Sequence, residues 1–174
     1  MSELFSIQLQ NRQQQGRDGV WLDLPTTTEQ VQAALRQIGI SSDNPQGLFI
    51  SGYFAEEEKR FAIPYNMVLA SNVDELNFLA SRLETLSTGE RAELNAALQA
   101  LQSELFSIGR ITDFPENVDY YVHLPDVHGP AQLGDYYLNR SGMVDMPEEW
   151  KGGIDTAQFG RYVAQQEQGV FTQY

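Results

Sequence analysis

Leu133-Gly-Asp-Tyr-Tyr-Leu-Asn-Arg-Ser-Gly142, then Gly152-Gly-Ile-Asp-Thr-Ala-Gln-Phe-Gly-Arg-Tyr-Val163 and Gly169-Val-Phe-Thr-Gln-Tyr174, form the stretch around which the chain is read. Pro130 opens a first helix, with Leu133, Tyr136 and Tyr137 on one face, and Ser141-Gly142 stops it. Asp155 and Gln158 make the capping-box pattern of a second helix, whose apolar stripe is Phe159, Tyr162 and Val163. Gly169 should end that helix, and the β-branched and aromatic run Val170-Phe171-Thr172 reads as a closing strand.

Working outward, Val118-Asp119-Tyr120-Tyr121-Val122-His123-Leu124 reads as a strand that leads, through the turn Pro125 to Pro130, into this segment. The middle of the chain is helical. Asn72 caps one helix, with Leu76, Leu79, Ala80, Leu83 and Leu86 on its apolar face; Ser87 and Glu90 cap a second, with Leu94, Ala97, Leu98, Leu101 and Leu105. So short a joint predicts that the two helices pack antiparallel. Toward the start, Phe5 to Leu9 and Val20 to Leu24 alternate apolar and polar residues around the polar hairpin loop Gln10 to Gly19. Thr27 and Gln30 then cap a helix through Val31, Ala34, Leu35 and Ile38, with Gly39 as its stop, and Leu48 to Tyr53 is a third strand. The expected fold class is therefore α+β, an elongated chain of three small units: a β-β-α-β unit over 1–62, a helical middle unit over 63–109 and an α/β C-terminal unit over 110–174.

The 174 residues include 24 acids and 11 bases, for a net charge of −13, while a hydrophobic content of 41% excludes a disordered acidic tail. Charge grows along the chain. Residues 1–55 hold 5 acids and 3 bases, 56–112 hold 9 and 5, and 113–174 hold 10 and 3. Such a surface repels nucleic acid and anionic membranes and attracts basic surfaces, so neither of the first two is expected as a partner. With no cysteine there is no disulfide or thiolate chemistry, and neither a signal-like start nor a membrane-length apolar run is seen, which predicts a cytoplasmic protein.

The candidate chemical sites read as structure. His123 and His128 flank Asp126, but no third histidine exists to complete a zinc site, so they read as strand-end and loop residues. The pairs Asp74-Glu75 and Glu148-Glu149 fit helix first turns, where the dipole favours carboxylates, better than glycosidase acids. Tyr120-Tyr121 and Tyr136-Tyr137 lack the basic neighbours that base stacking needs, and no phosphate-loop glycine motif occurs. No catalytic constellation, metal site or cofactor site is expected. Acids spread over the whole chain fit either a protein that offers carboxylates to the lysines and arginines of a DNA-binding groove or a merely halophilic or highly soluble domain, and composition alone does not separate the two. Duplex DNA carries one charge per roughly 1.7 Å, so about 13 charges correspond to about 22 Å of duplex. The acids assigned to this surface are Asp74, Glu75, Glu84, Glu90, Glu93, Glu104, Asp113, Glu116, Asp119, Asp126, Asp135, Asp145, Glu148 and Glu149. Leu133, Tyr136, Tyr137 and Met143 offer an apolar self-contact for a homodimer.

The chain resembles the ArdA-type antirestriction proteins. The resemblance is carried by Tyr136-Tyr137, Gly142-Met143-Val144, Ile154-Asp155 with Phe159-Gly160-Arg161, and Gly169-Val170-Phe171-Thr172, in that order. It extends to Gly19 to Pro25 with the helix to Ile40, and to Val73-Asp-Glu-Leu-Asn-Phe-Leu-Ala80 with Leu83. It implies an elongated three-unit protein, dimeric through its last unit, that mimics bent DNA in the groove of type I restriction-modification enzymes and is carried on plasmids, phages or conjugative transposons. The family usually has an acidic pair where Asn139 and Arg140 stand, so the charge of that motif is weakened here. The alternatives from composition are an acidic adaptor for another basic, DNA-binding partner and, third, a hydrolase.

Overall fold

The computed structural model describes residues 3–14, 18–41, 45–101, 104–116 and 121–174. The fold is α+β, with its sheet confined to the first third of the chain. Strands β1 (Phe5–Asn11), β2 (Val20–Leu24) and β3 (Leu48–Phe54) form an antiparallel sheet in the order β2-β1-β3. Alternation turns Phe5, Ile7 and Leu9 inward, joined by Leu22, Leu24 and Ile50. The register runs from Phe5 opposite Leu24 to Leu9 opposite Val20; on the other side it slips between Gln8 (opposite Gly52) and Leu9 (opposite Ile50), leaving Ser51 as a bulge.

Helix α1 (Thr28–Gln37) begins at the expected capping box: the Gln30 N–H donates to Thr27 Oγ1, and the Thr27 N–H donates to Gln30 Oε1 at 3.2 Å. It ends with Gly39 at φ +71°, a left-handed turn that suits glycine. Helix α2 (Tyr65–Leu69) packs on β3. Helix α3 (Val73–Glu84) buries Leu76, Leu79, Ala80 and Leu83 completely, each leucine stabilising by roughly 1.5–3 kcal/mol. Helix α4 (Thr88–Ala100) starts at the Ser87–Glu90 box and stops at Ala100, so Leu105 is buried beyond the helix rather than along it.

Helices α3 and α4 are joined by the short turn Thr85 to Ser87, and the leucines of both enter the same apolar cluster. Helix α3 also lies against β2 and helix α5 (Ile108–Asp113), while α4 approaches the 3-10 turn Phe114–Glu116. Three part-buried hydrogen bonds tie the two helices to other parts of the chain. Asn77 on α3 holds the Thr26 backbone through both its amide groups, at 2.7 and 3.0 Å, and Asn95 on α4 accepts from the Ala62 N–H at 2.8 Å. Each helix is thus also tied to a different stretch of chain, while Leu76, Leu79 and Leu83 of α3 and Leu94 and Leu98 of α4 share one apolar cluster.

The C-terminal region consists of helices. Helix α6 (Pro130–Asp135) runs into a π-helical turn, Tyr136–Arg140, followed by α7 (Glu148–Lys151) and α8 (Thr156–Gln166). Helices α6 and α8 cross at Gly134 and Gly160: a Cβ on Gly134 would strike the Thr156 carbonyl, and one on Gly160 the Pro130 carbonyl. The expected strands are absent among the described residues. Tyr121 to Leu124 is irregular, Val118, Asp119 and Tyr120 lie outside the described residues, and Val170 to Thr172 forms no strand. β-branched and aromatic composition needs a neighbouring strand to pair with, and the sheet lies elsewhere. The described residues of 110–174 are helical or irregular. The helix stop shifts too, for Gln168, at φ +53°, takes the left-handed position expected of Gly169.

Buried apolar side chains fall into two clusters. One runs from Leu4 to Phe114 and includes the sheet and α1 to α5; the other consists of Val127, Leu133 and Val163, with Leu124, Tyr136, Tyr137, Phe159 and Ala164 packed around it.

Candidate acidic interaction surface

Helix first turns and turns position most of the assigned acids. Asp74 and Glu75 are exposed in the first turn of α3, where the Glu75 N–H donates to Asn72 Oδ1 at 2.9 Å. The open N-terminal amides there favour negative charge. Glu90 is exposed at the start of α4 and accepts from the Ser87 N–H at 2.8 Å and the Ser87 hydroxyl at 2.6 Å, which holds its carboxyl below the usual range. Glu148 and Glu149 occupy the first turn of α7, and Asp113, Asp126 and Asp145 are exposed. Glu84 and Glu93 are half-buried on α3 and α4, and Asp119 lies outside the described residues.

Several acids are already engaged within the chain. Glu116 pairs with Arg82, Glu148 with Lys151 at 2.6 Å, and Glu56 with Lys59 at 2.9 Å. Glu104 accepts from the Tyr121 hydroxyl at 2.8 Å, and this bond raises the phenol above its ordinary value. Asp135 is half-buried and bound by Asn139 and Arg140.

The bases show a pattern that sequence reading missed. Four guanidiniums lie over aromatic rings: Arg12 over Phe49 (5.3 Å to the centroid), Arg91 over Phe61 (5.6 Å), Arg110 over Phe106 (5.8 Å) and Arg140 over Tyr136 (5.5 Å). The last two pairs are four residues apart in sequence, one across the start of α5 and one within the π-helical turn, a spacing that could have revealed them; the first two are tertiary and have no sequence signal.

Of the four residues assigned to a self-contact, Leu133 is buried in its own protomer's cluster. Tyr136 and Tyr137 are half-buried against it, and Met143 is 75% exposed. Burial, with Glu167 and Tyr136 nearby, pushes the Tyr137 phenol up. These residues line a cleft of about 550 Å³ between α4 and the C-terminal helices, which also takes in Glu93, Phe114 and the terminal segment Gly169 to Tyr174. Weak polar contacts hold that segment: Gln173 N–H to Gln99 Oε1 at 3.4 Å, and His123 Nε2 at 3.4 Å from the Tyr174 oxygen. His128 and Asp126 do not converge with His123 on a shared site, and no group of three or more metal-ligating side chains occurs among the described residues.

A family model described as Antirestriction protein (ArdA) matches residues 15–174. The chain belongs to the ArdA antirestriction family. No curated protein matches it. Membership in an antirestriction family implies interaction of this chain with restriction enzymes. Among its described residues no helix is long and apolar enough to cross a membrane.

Proposed function

We propose that the chain is a non-enzymatic DNA mimic that occupies the DNA-binding groove of a type I restriction-modification enzyme and thereby inhibits it. The observation that carries this reading is the division of charge: carboxylates stand exposed at helix starts and turns from Asp74 to Glu149, while guanidiniums fold back onto rings and into ion pairs. A partner groove lined with lysine and arginine would meet a predominantly negative field, and association would be fast and salt-sensitive. The mimic needs no metal or cofactor, acts in the cytoplasm, and extends its field by forming an elongated homodimer of three-unit chains.

The dimer contact in this reading centres on exposed Met143 with the accessible parts of Tyr136 and Tyr137, because Leu133 is already used inside the protomer. Small-angle scattering at micromolar concentration should give an extended dimer; a compact monomer contradicts this part. The function itself is tested by titrating the chain into a type I enzyme bound to labelled DNA. The DNA should be displaced, with cleavage of unmodified DNA falling in parallel. Simultaneous binding of DNA and chain overturns the mimic.

A further inference from the structure

The π-helical turn at Tyr136–Arg140 has a geometric consequence for one acid. In an ordinary α-helix, residues five apart point about 140° away from each other around the axis. Widening the turn brings them to the same side. Here the Ser141 N–H donates five residues back to the Tyr136 carbonyl at 2.8 Å, and Arg140 comes to stand beside Asp135. One carboxylate oxygen of Asp135, Oδ1, accepts from Asn139 Nδ2 at 2.8 Å, and the other, Oδ2, lies at ion-pair distance, 3.7 Å, from Arg140 Nε. The same guanidinium stacks over Tyr136, which fixes it in place without a second carboxylate.

We propose that Arg140 is a specificity-determining residue: held by the π-turn over Asp135 and Tyr136, it masks Asp135 and interrupts the acidic surface at the end of α6. A basic partner that places a cation opposite this point finds a neutral, aromatic-backed patch, and one that leaves a gap there is accepted. This rests on the proposal that the acids meet a basic partner. It differs in naming where the field is switched off.

The test is a double-mutant comparison of Asp135→Asn and Arg140→Gln, singly and together, with Arg161→Gln on exposed α8 as the control for losing one positive charge. Two probes are used on each variant, a type I restriction enzyme in a binding titration and an anion-exchange resin in a shallow salt gradient. Arg140→Gln should tighten both by about two- to fivefold more than Arg161→Gln, the range that exposed pairs span. The loss caused by Asp135→Asn should be several times larger in the Arg140→Gln background than in the parent. Equal losses in the two backgrounds, or equal gains from the two arginines, overturn the masking. Coupling on the resin with none on the enzyme overturns the role in recognition. If the parent chain does not bind the enzyme at all, the DNA-mimic reading fails, and the resin still decides whether Asp135 is masked.

Discussion

Residues 1–112 carry 14 acids against 8 bases and supply all of the larger apolar cluster except Phe114, whereas residues 113–174 carry 10 against 3 around the small cluster of Val127, Leu133 and Val163. The first region can hold its charge on the outside of a core rich in leucine and isoleucine. The second has the greater charge imbalance in little more than half the length, and its helices approach each other until glycine backbones touch. Close backbone contact replaces side-chain volume there, and it leaves outward positions free for carboxylates. The two regions should therefore fail in different ways.

The largest effect should come from Gly160→Ala, since even a methyl group meets the Pro130 carbonyl. The expected loss is about 4 kcal/mol or more for the C-terminal helices, the size reserved for strain against backbone. Hydrogen exchange should show α6 and α8 unprotected while β1 and β3 stay protected. Uniform loss across the chain would mean that the two regions form one cooperative unit. Next, Leu79→Ala opens the larger core and should cost about 2–5 kcal/mol in urea unfolding, with the first 112 residues losing protection first. Asn77→Ala removes the two bonds to Thr26 that pull α3 toward the sheet, for about 1–3 kcal/mol.

The smallest effect is a change in acid sensitivity. Glu90 has its folded pKa depressed by the Ser87 hydroxyl and backbone N–H, so its contribution is present above the unfolded carboxyl range and is lost as pH falls through the lower folded value. Ser87→Ala should flatten that part of the stability profile between those two pKa values and leave neutral-pH oligomeric state unchanged. An identical acid profile for parent and variant would remove Glu90 from the account.

Local signals in the sequence carried much of the fold. The caps at Thr27, Asn72, Ser87 and Asp155 were legible because each satisfies helix-end amides with residues three positions apart. Strict alternation made β1 and β2 legible. What failed depended on partners far away in sequence. The ties of Asn77 to Thr26 and of Asn95 to Ala62 link residues 51 and 33 positions apart, and a strand at Val170 to Thr172 needed an edge that the fold does not bring near. The acidic surface was legible as a total charge. Its local interruptions, Arg82 on Glu116 and Arg140 on Asp135, required coordinates, because a surface ion pair between distant residues or across a π-turn has no α-helical spacing.

The central claim is that recognition comes from a summed field rather than from one carboxylate. It is tested most directly by inhibition of a type I restriction enzyme at several salt concentrations, comparing the parent, Glu149→Gln alone, and a chain in which Asp126, Asp145, Glu148 and Glu149 are all changed to amides, with scattering and circular dichroism to verify fold and dimer. The single change should alter the inhibition constant by less than about fivefold, and the quadruple change should weaken it further and flatten its dependence on log salt. Abolition of inhibition by Glu149→Gln with fold and dimer intact, or a salt slope indifferent to all four substitutions, would contradict the account.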